Sequence, residues 1–206
     1  LFVNRYLFFD KEIEKRTLIA LGGKQPFKVH INTIMDYSFF WIISLYEYYK
    51  TYGDKDFLEQ IQDQMKAVMD FCLERRDEDG FMRGKPGDWV FMDKTGALCG
   101  EQILFAKAME CYAAICAVIG RDDRGLGGEA EKLRKQIFEK FYDTEKKVFI
   151  DSYESGKRNV TRQSNILAYL FLGCDDTVKK DIYERVVLND EVPQITTPYF
   201  KFYENQ

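Results

Sequence analysis

The side chains that could do chemistry are few and sit at particular places. His30 is the single histidine, and Asp36 heads a stretch, residues 31–52, whose only charges are Asp36, Glu47 and Lys50. A carboxylate on an otherwise apolar helix is costly to bury unless it is paired or hydrogen-bonded, so Asp36 either has a partner or faces a wet cavity. His30 reads equally as a ligand contact or as a satisfied structural histidine. Asp88 and Trp89 stand beside Gly84, Pro86 and Gly87, so the backbone can turn sharply and present both side chains to a cavity. The competing reading makes Asp88 the cap of a turn and Trp89 a plug in the packing. Gln163 and Tyr199 open two further helical stretches. Five cysteines, Cys72, Cys99, Cys111, Cys116 and Cys174, are an odd number without paired ligand spacing. They read as small buried apolar residues, with no metal, no cofactor and no disulfide, which points to a reducing compartment: the cytoplasm, with the periplasm as the alternative.

Elements must hold these residues, and the sequence marks them through a recurring junction. Gly53-Asp54, Gly120 with Asp122 and Asp123, and Gly173 with Asp175 and Asp176 each close one helix and open another, and Asp10 suggests a fourth. Glycine takes the left-handed conformation that ends a helix, and the aspartate accepts the first free amides of the next. The helices before each junction are apolar nearly all round: residues 31–52, 97–119, whose charges are Glu101, Lys107 and Glu110, and 162–172, whose charge is Arg162. Such helices are buried on most sides. Those after it carry one apolar stripe: Leu58, Ile61, Met65, Val68 and Cys72; then Leu126, Ala130, Leu133, Ile137 and Phe141; then Val178, Ile182 and Val186. Buried helices wrapped by one-faced helices in sequential hairpins predict an all-α, (α/α)6-type barrel.

The connections alternate as well. Residues 22–30, 77–96, 143–160 and 189–197 form long loops that share one end, with Pro26, Pro86, Pro193 and Pro198 in or beside them. Loops on a rigid helical frame concentrate binding residues. Loop 143–160, with Val148, Phe149, Ile150 and Tyr153, predicts a short β-hairpin around a Ser155-Gly156 turn. Tyr46, Tyr48, Tyr49 and Tyr52 fall near the opposite end and read as packing, and Trp41 reads as core.

Composition sets the outer bounds. Hydrophobic residues at 46% and charged residues at 31% are a soluble globular balance. A net charge of -4 and pI near 5.3 with no basic stripe exclude nucleic acid as an expected partner, and no membrane contact is expected. The opening Leu1–Phe9 stretch lacks the features of a signal peptide and reads as a cut chain. All 206 residues are expected to form a single, partial domain.

Four segments occur in a telling order: His30-Ile31-Asn32-Thr33-Ile34-Met35-Asp36-Tyr37-Ser38, the Tyr52-Gly53-Asp54 turn, Asp79-Gly80 followed by Gly87-Asp88-Trp89, and Thr197-Pro198-Tyr199-Phe200. Together they resemble the catalytic barrel of bacterial α-L-rhamnosidases, glycoside hydrolase family 78, through essentially the whole chain. The resemblance implies a six-hairpin barrel, of which this chain holds about four hairpins plus helix pieces at each end. It also implies inverting hydrolysis of terminal α-L-rhamnosides in oligosaccharides or glycoconjugates. Such a reaction needs a carboxylic acid for the leaving oxygen and a carboxylate for water, roughly 6.5 to 9.5 Å apart. The family's acid motif would precede Leu1 and its base would follow Gln206, so no catalytic residue is carried over and the chain alone is expected to be inactive. Sugar recognition does carry over, through a flat aromatic face for the ring and polar groups for its hydroxyls. On that ground Asp88, Trp89, Asp36, His30, Gln163 and Tyr199 are the substrate-binding candidates, for a rhamnosyl carbohydrate partner.

Two other classes remain. A helical-repeat interaction scaffold shares the hairpins but does not need inner helices buried on all sides. A lyase or isomerase on the same barrel recruits bases near the mouth, for which His30 is the only histidine. An open barrel leaves apolar inner surface bare, so self-association through the open edge is expected.

Overall fold

A computed structural model describes residues 2–84 and 92–206. In chain order the helices are α1 (Phe2–Leu7), α2 (Lys11–Leu21), α3 (Met35–Tyr52), α4 (Lys55–Leu73), α5 (Cys99–Ile119), α6 (Leu126–Phe141), α7 (Arg162–Phe171), α8 (Asp176–Ile182) and α9 (Pro198–Glu204). A two-stranded antiparallel sheet, β1 (Tyr142–Asp143) with β2 (Val148–Phe149), lies between α6 and α7. The fold is an all-α succession of hairpins, as the Gly-Asp junctions predict.

Those junctions work as the chemistry requires. Gly53 sits at φ 64°, Gly120 at 69° and Gly173 at 74°, left-handed conformations that a residue with a Cβ adopts at a cost. Beyond them, Asp54 accepts from the Phe57 amide at 3.2 Å and Asp175 from the Val178 amide at 2.8 Å, while Asp10 caps α2 through the Ile13 amide at 3.0 Å. Asp123 accepts from Gly125 and Gly127, each at 3.0 Å, at the start of α6. Asp54 does more than cap: Tyr48 Oη donates to it at 2.8 Å and Lys11 Nζ pairs with it at 2.9 Å. The tyrosines near this end pack, with Tyr48 5.0 Å from both Tyr52 and Phe57 between ring centroids.

Burial separates two layers. In α5 every residue from Cys99 to Ala106 is buried, more than two helical turns, which one-sided packing cannot achieve. Its neighbours are α3, α4, α6 and α7. By length and composition α5 could cross a membrane, yet here these helices enclose it. In the outer layer the stripes point inward: Phe57, Leu58, Ile61, Met65, Val68 and Cys72 on α4, and Leu126, Ala130, Leu133, Ile137 and Phe141 on α6. Val178 and Ile182 continue the pattern on α8, and Val186 completes it from a π-helical turn, Tyr183–Val187. Trp41 is core, its indole nitrogen donating to the Leu18 carbonyl at 2.8 Å so that α2 is fixed to α3. Tyr6, Leu7, Phe8, Phe9 and Ile13 at the N-terminal edge are exposed.

Two local expectations are corrected. The helix expected from residue 31 begins at Met35. Residues Ile31–Thr33 instead form a 3-10 turn with Asn32 at φ 53° and Thr33 at φ 63°, and the freed Ile31 amide donates to Ser38 Oγ at 3.1 Å. The hairpin exists, but its turn is residues 144–147, not Ser155-Gly156, and Ile150 and Tyr153 lie outside its strands. The reason is Asp143, whose carboxylate accepts from the amides of Glu145 and Lys146 at 3.1 and 3.0 Å and so folds the chain directly behind itself.

The interior of α5 sets a testable scale. Phe105 is fully buried with its ring centroid 5.2 Å from that of Phe39 of α3, the rings tilted by 37°, whereas Tyr169 on α7 is 39% exposed. In urea unfolding, Phe105→Ala is expected to cost about 3–5 kcal/mol and Tyr169→Ala under about 1 kcal/mol.

Candidate functional site

The long connections are woven together around one buried carboxylate. Asp151, in the loop after β2, accepts from Thr161 Oγ1 at 2.6 Å, Ser164 Oγ at 2.7 Å, Asn159 Nδ2 at 2.5 Å and the Asp93 amide at 3.2 Å. Its carbonyl accepts the Cys99 amide at 2.9 Å, so the first turns of α5 and α7 are both tied to this residue. Burial pushes the Asp151 carboxyl above its ordinary value, and these hydrogen bonds act in the opposite direction. Two amides extend the weave. Gln102 Oε1 accepts the Met82 amide at 2.8 Å and its Nε2 returns a bond to the Met82 carbonyl at 3.0 Å. Asn165 does the same for Phe149, at 2.9 Å in each direction. Glu154 accepts from the Ala97 amide at 3.0 Å and from Arg83 at 2.6 Å, and Gly84 passes so close to α3 that a Cβ there would lie 3.3 Å from Met35 Sδ.

This frame presents the first turns of α3, α5, α7 and α9. Asp36, in the first turn of α3, is 3% exposed. Tyr199, in the first turn of α9, has a half-exposed ring 5.7 Å from Phe40 of α3. Burial around its hydroxyl, then Tyr203 and Asp36 beside it, push the phenol well above its usual range. The structure therefore brings Asp36 and Tyr199 together across α3 and α9. Tyr199, Tyr37, Phe40 and Trp41 also line an apolar groove of about 160 Å³ against α2. Gln163 is half-buried in the first turn of α7. His30 takes a different position: Nδ1 lies 3.1 Å from Ser38 Oγ and the ring meets Phe71 of α4 edge-on at 4.9 Å. Desolvation, then the Arg75 guanidinium, lower its pKa to about 4. Asp88 and Trp89 lie outside the described residues. Among the described residues, no cluster of three or more His, Cys, Asp or Glu could hold a metal ion. All five cysteines are buried thiols.

The residue that sequence reasoning passed over is Glu101. It sits in the first turn of α5, is fully buried, and neither carboxylate oxygen has a hydrogen-bond partner among the described residues. Burial, and then the charge of Asp36, hold its carboxyl well above the ordinary carboxylate range. The signal was available: one acidic residue heading the most apolar helix is the same pattern that singled out Asp36.

Comparison with known proteins decides the family. Residues 24–193 match the bacterial α-L-rhamnosidase six-hairpin glycosidase domain. The chain belongs to this family. Among solved structures it is similar to the GH78 family rhamnosidase of Bacillus sp. GL1, with a TM-score of 0.83 and 24% identity, covering 98% of this chain and 23% of that one. It is also similar to a rhamnosidase from Klebsiella oxytoca with rhamnose bound, with a TM-score of 0.73 and 17% identity, covering 98% of this chain and 42% of that one. The chain thus spans less than half the length of either relative. No curated protein is a significant match. The hairpin succession deduced from the Gly-Asp junctions is, accordingly, that of a six-hairpin glycosidase domain.

Two measurements probe the electrostatics of this rhamnosidase-family domain. With a single histidine, one imidazole resonance reports His30, and it is expected to stay neutral until the pH approaches about 4. Because the folded value lies below the ordinary 6.5, the stability that His30 contributes is complete above pH 6.5 and is lost as pH falls through 4. Glu101 has the opposite sign. Its folded value lies above the ordinary 4.5, so the stability that Glu101 contributes falls as pH rises past 4.5, with a limiting slope of about 1.4 kcal/mol per pH unit, opposite in sign to that of His30. Glu101→Gln is expected to remove the Glu101 contribution, read as the difference between the wild-type and variant stability profiles above pH 4.5.

Proposed function

We propose that this chain is the sugar-holding portion of an inverting α-L-rhamnosidase, acting on terminal α-L-rhamnosides of oligosaccharides or glycoconjugates. The observation that supports the reading is the family match over residues 24–193, on a frame in which Asp36, Glu101 and Tyr199 lie in the first turns of α3, α5 and α9. Carboxyl groups that accept and donate hydrogen bonds suit ring hydroxyls, and a half-exposed tyrosine ring suits the apolar face of a sugar. Asp88 and Trp89 complete the set of proposed contacts, with Gln163 at the head of α7. In this reading the general acid and general base are supplied outside these 206 residues. Asp36 and Glu101 do not take those roles. An inverting pair requires one carboxylate poised to activate water and a separate acid across the scissile bond. Here both groups are buried, and Asp36 acts on Glu101 directly.

The scaffold alternative requires a wet, concave inner face, and the continuous burial of Cys99 to Ala106 disfavours it. The lyase alternative needs a mobile base, and His30 is held by Ser38 and Phe71.

The test is an aryl α-L-rhamnoside assay run beside saturation-transfer NMR with methyl α-L-rhamnoside. Binding without turnover is expected. Turnover at the rate of an intact rhamnosidase would refute the external acid and base, and saturation transfer from a uronate but not from the rhamnoside would refute the substrate class.

A further inference from the structure

The segment that enters α3 holds two successive left-handed residues, and neither is glycine. Asn32 sits at φ 53° and Thr33 at φ 63°. Among the described residues the other non-glycine cases, Phe9, Arg124, Lys147 and Arg158, occur singly, and Thr33 alone is β-branched. Asparagine tolerates this conformation, whereas a β-branched residue there is an outlier that persists only where its surroundings over-determine it. Capping does not ask for it, because Ile34, at φ -119°, already gives α3 the extended residue from which a helix starts.

The surroundings do fix the turn. Ser38 Oγ accepts the Ile31 amide and lies beside His30 Nδ1, both at 3.1 Å, while the Thr33 amide donates to the His30 carbonyl at 2.8 Å. The His30 ring meets Phe71 edge-on, and Ile31 is buried. Beyond these fixed points the Asn32 and Thr33 side chains are exposed, and neither has a hydrogen-bond partner among the described residues. Ile31 lines the groove of about 160 Å³ that also holds Tyr37, Phe40 and Tyr199, so the turn forms part of the wall of the cavity at Tyr199. A fixed backbone thus presents a carboxamide and a hydroxyl side by side, at the end of the frame where the long loops gather.

We propose that Asn32 and Thr33 are further glycoside contacts, held in a strained turn by Ser38, which acts as their positioning residue. The proposal rests on the sugar-holding reading above and adds to it the residues that orient the ligand. Sugar hydroxyls suit neutral groups that donate and accept at set angles, and a turn that is already rigid loses little freedom when the ligand arrives. Strain kept where stability alone favours glycine is the pattern of a trade between stability and function.

The experiment uses the 206-residue chain as wild type, Asn32→Gly, Thr33→Gly, Thr33→Asn and Ser38→Ala, and as the double variant Asn32→Gly/Thr33→Gly with and without Ser38→Ala. Lys147→Gly, in the turn between β1 and β2, is the left-handed control. Melting curves are set beside NMR titrations with methyl α-L-rhamnoside. Thr33→Gly is expected to melt about 2–4 °C higher yet bind about threefold to tenfold more weakly, because strain is relieved and a hydrogen bond is lost. Thr33→Asn gains stability and keeps affinity, since asparagine tolerates the turn and retains a polar group. Asn32→Gly weakens binding by a similar factor, and Lys147→Gly gains stability with affinity unchanged. Ser38→Ala lowers both melting temperature and affinity, but in the double-glycine background only its effect on melting persists. Wild-type affinity in both Asn32→Gly and Thr33→Gly overturns the proposal. A lower melting temperature in both Thr33 variants also overturns it, because the turn is then unstrained. A loss of affinity from Ser38→Ala that persists in the double-glycine background overturns the positioning role. Each of these outcomes leaves the sugar-holding reading standing, whereas a wild type that binds no glycoside overturns that reading and the proposal with it.

Discussion

The enclosure of α5 is the constraint on which everything else depends. A helix of 21 residues whose first eight are all buried must have partners on every side, and α3, α4, α6 and α7 supply them. Once α5 is the axis, the order of the chain follows: each apolar helix joins the inner layer, and each one-faced helix returns along the outside. The short junctions fall at one end because a left-handed glycine and a capping aspartate reverse the chain in few residues. The long loops then gather at the other end without any further instruction.

At that end the problem changes from burying apolar surface to satisfying backbone. Loops packed against inner helices carry amides and carbonyls that need partners, and three side chains provide them. Asp151 joins the first turns of α5 and α7, Gln102 completes the pairing of Met82, and Asn165 does so for Phe149. Such satisfied polar networks fix geometry more tightly than apolar contact alone. Buried ion pairs do similar work at the margins: Arg5 holds Glu14 beneath α3, and Arg162 holds Glu204 at 2.7 Å between α7 and α9. Against this background Glu101 is conspicuous, because every other deeply buried carboxylate just named has a partner.

The fold was legible to the extent that it depends on periodicity and turn chemistry. The inner and outer stripes, the capping aspartates and the two classes of connection are all explicit in residue order. Details governed by single local hydrogen bonds were not. Ser155-Gly156 has the residue types of a hairpin turn, whereas the Asp143 carboxylate bends the chain earlier, over residues 144–147. The start of α3 was displaced because Ser38 reaches back to the Ile31 amide.

The candidate site divides along the same line. Asp36 stood out because a lone charge on an apolar helix is conspicuous in one dimension, and Glu101 carried the same mark. What residue order determined about this protein is therefore its layering, its reversals and the short list of charges that burial must explain. Only the tertiary structure decided which of those charges meet. That Asp36 acts on Glu101 and on Tyr199, while His30 turns toward Phe71 and Arg75, depends on how α3, α4, α5 and α9 are rotated and packed. Electrostatic energy depends on distance and on the local dielectric, and neither exists until the helices have come together.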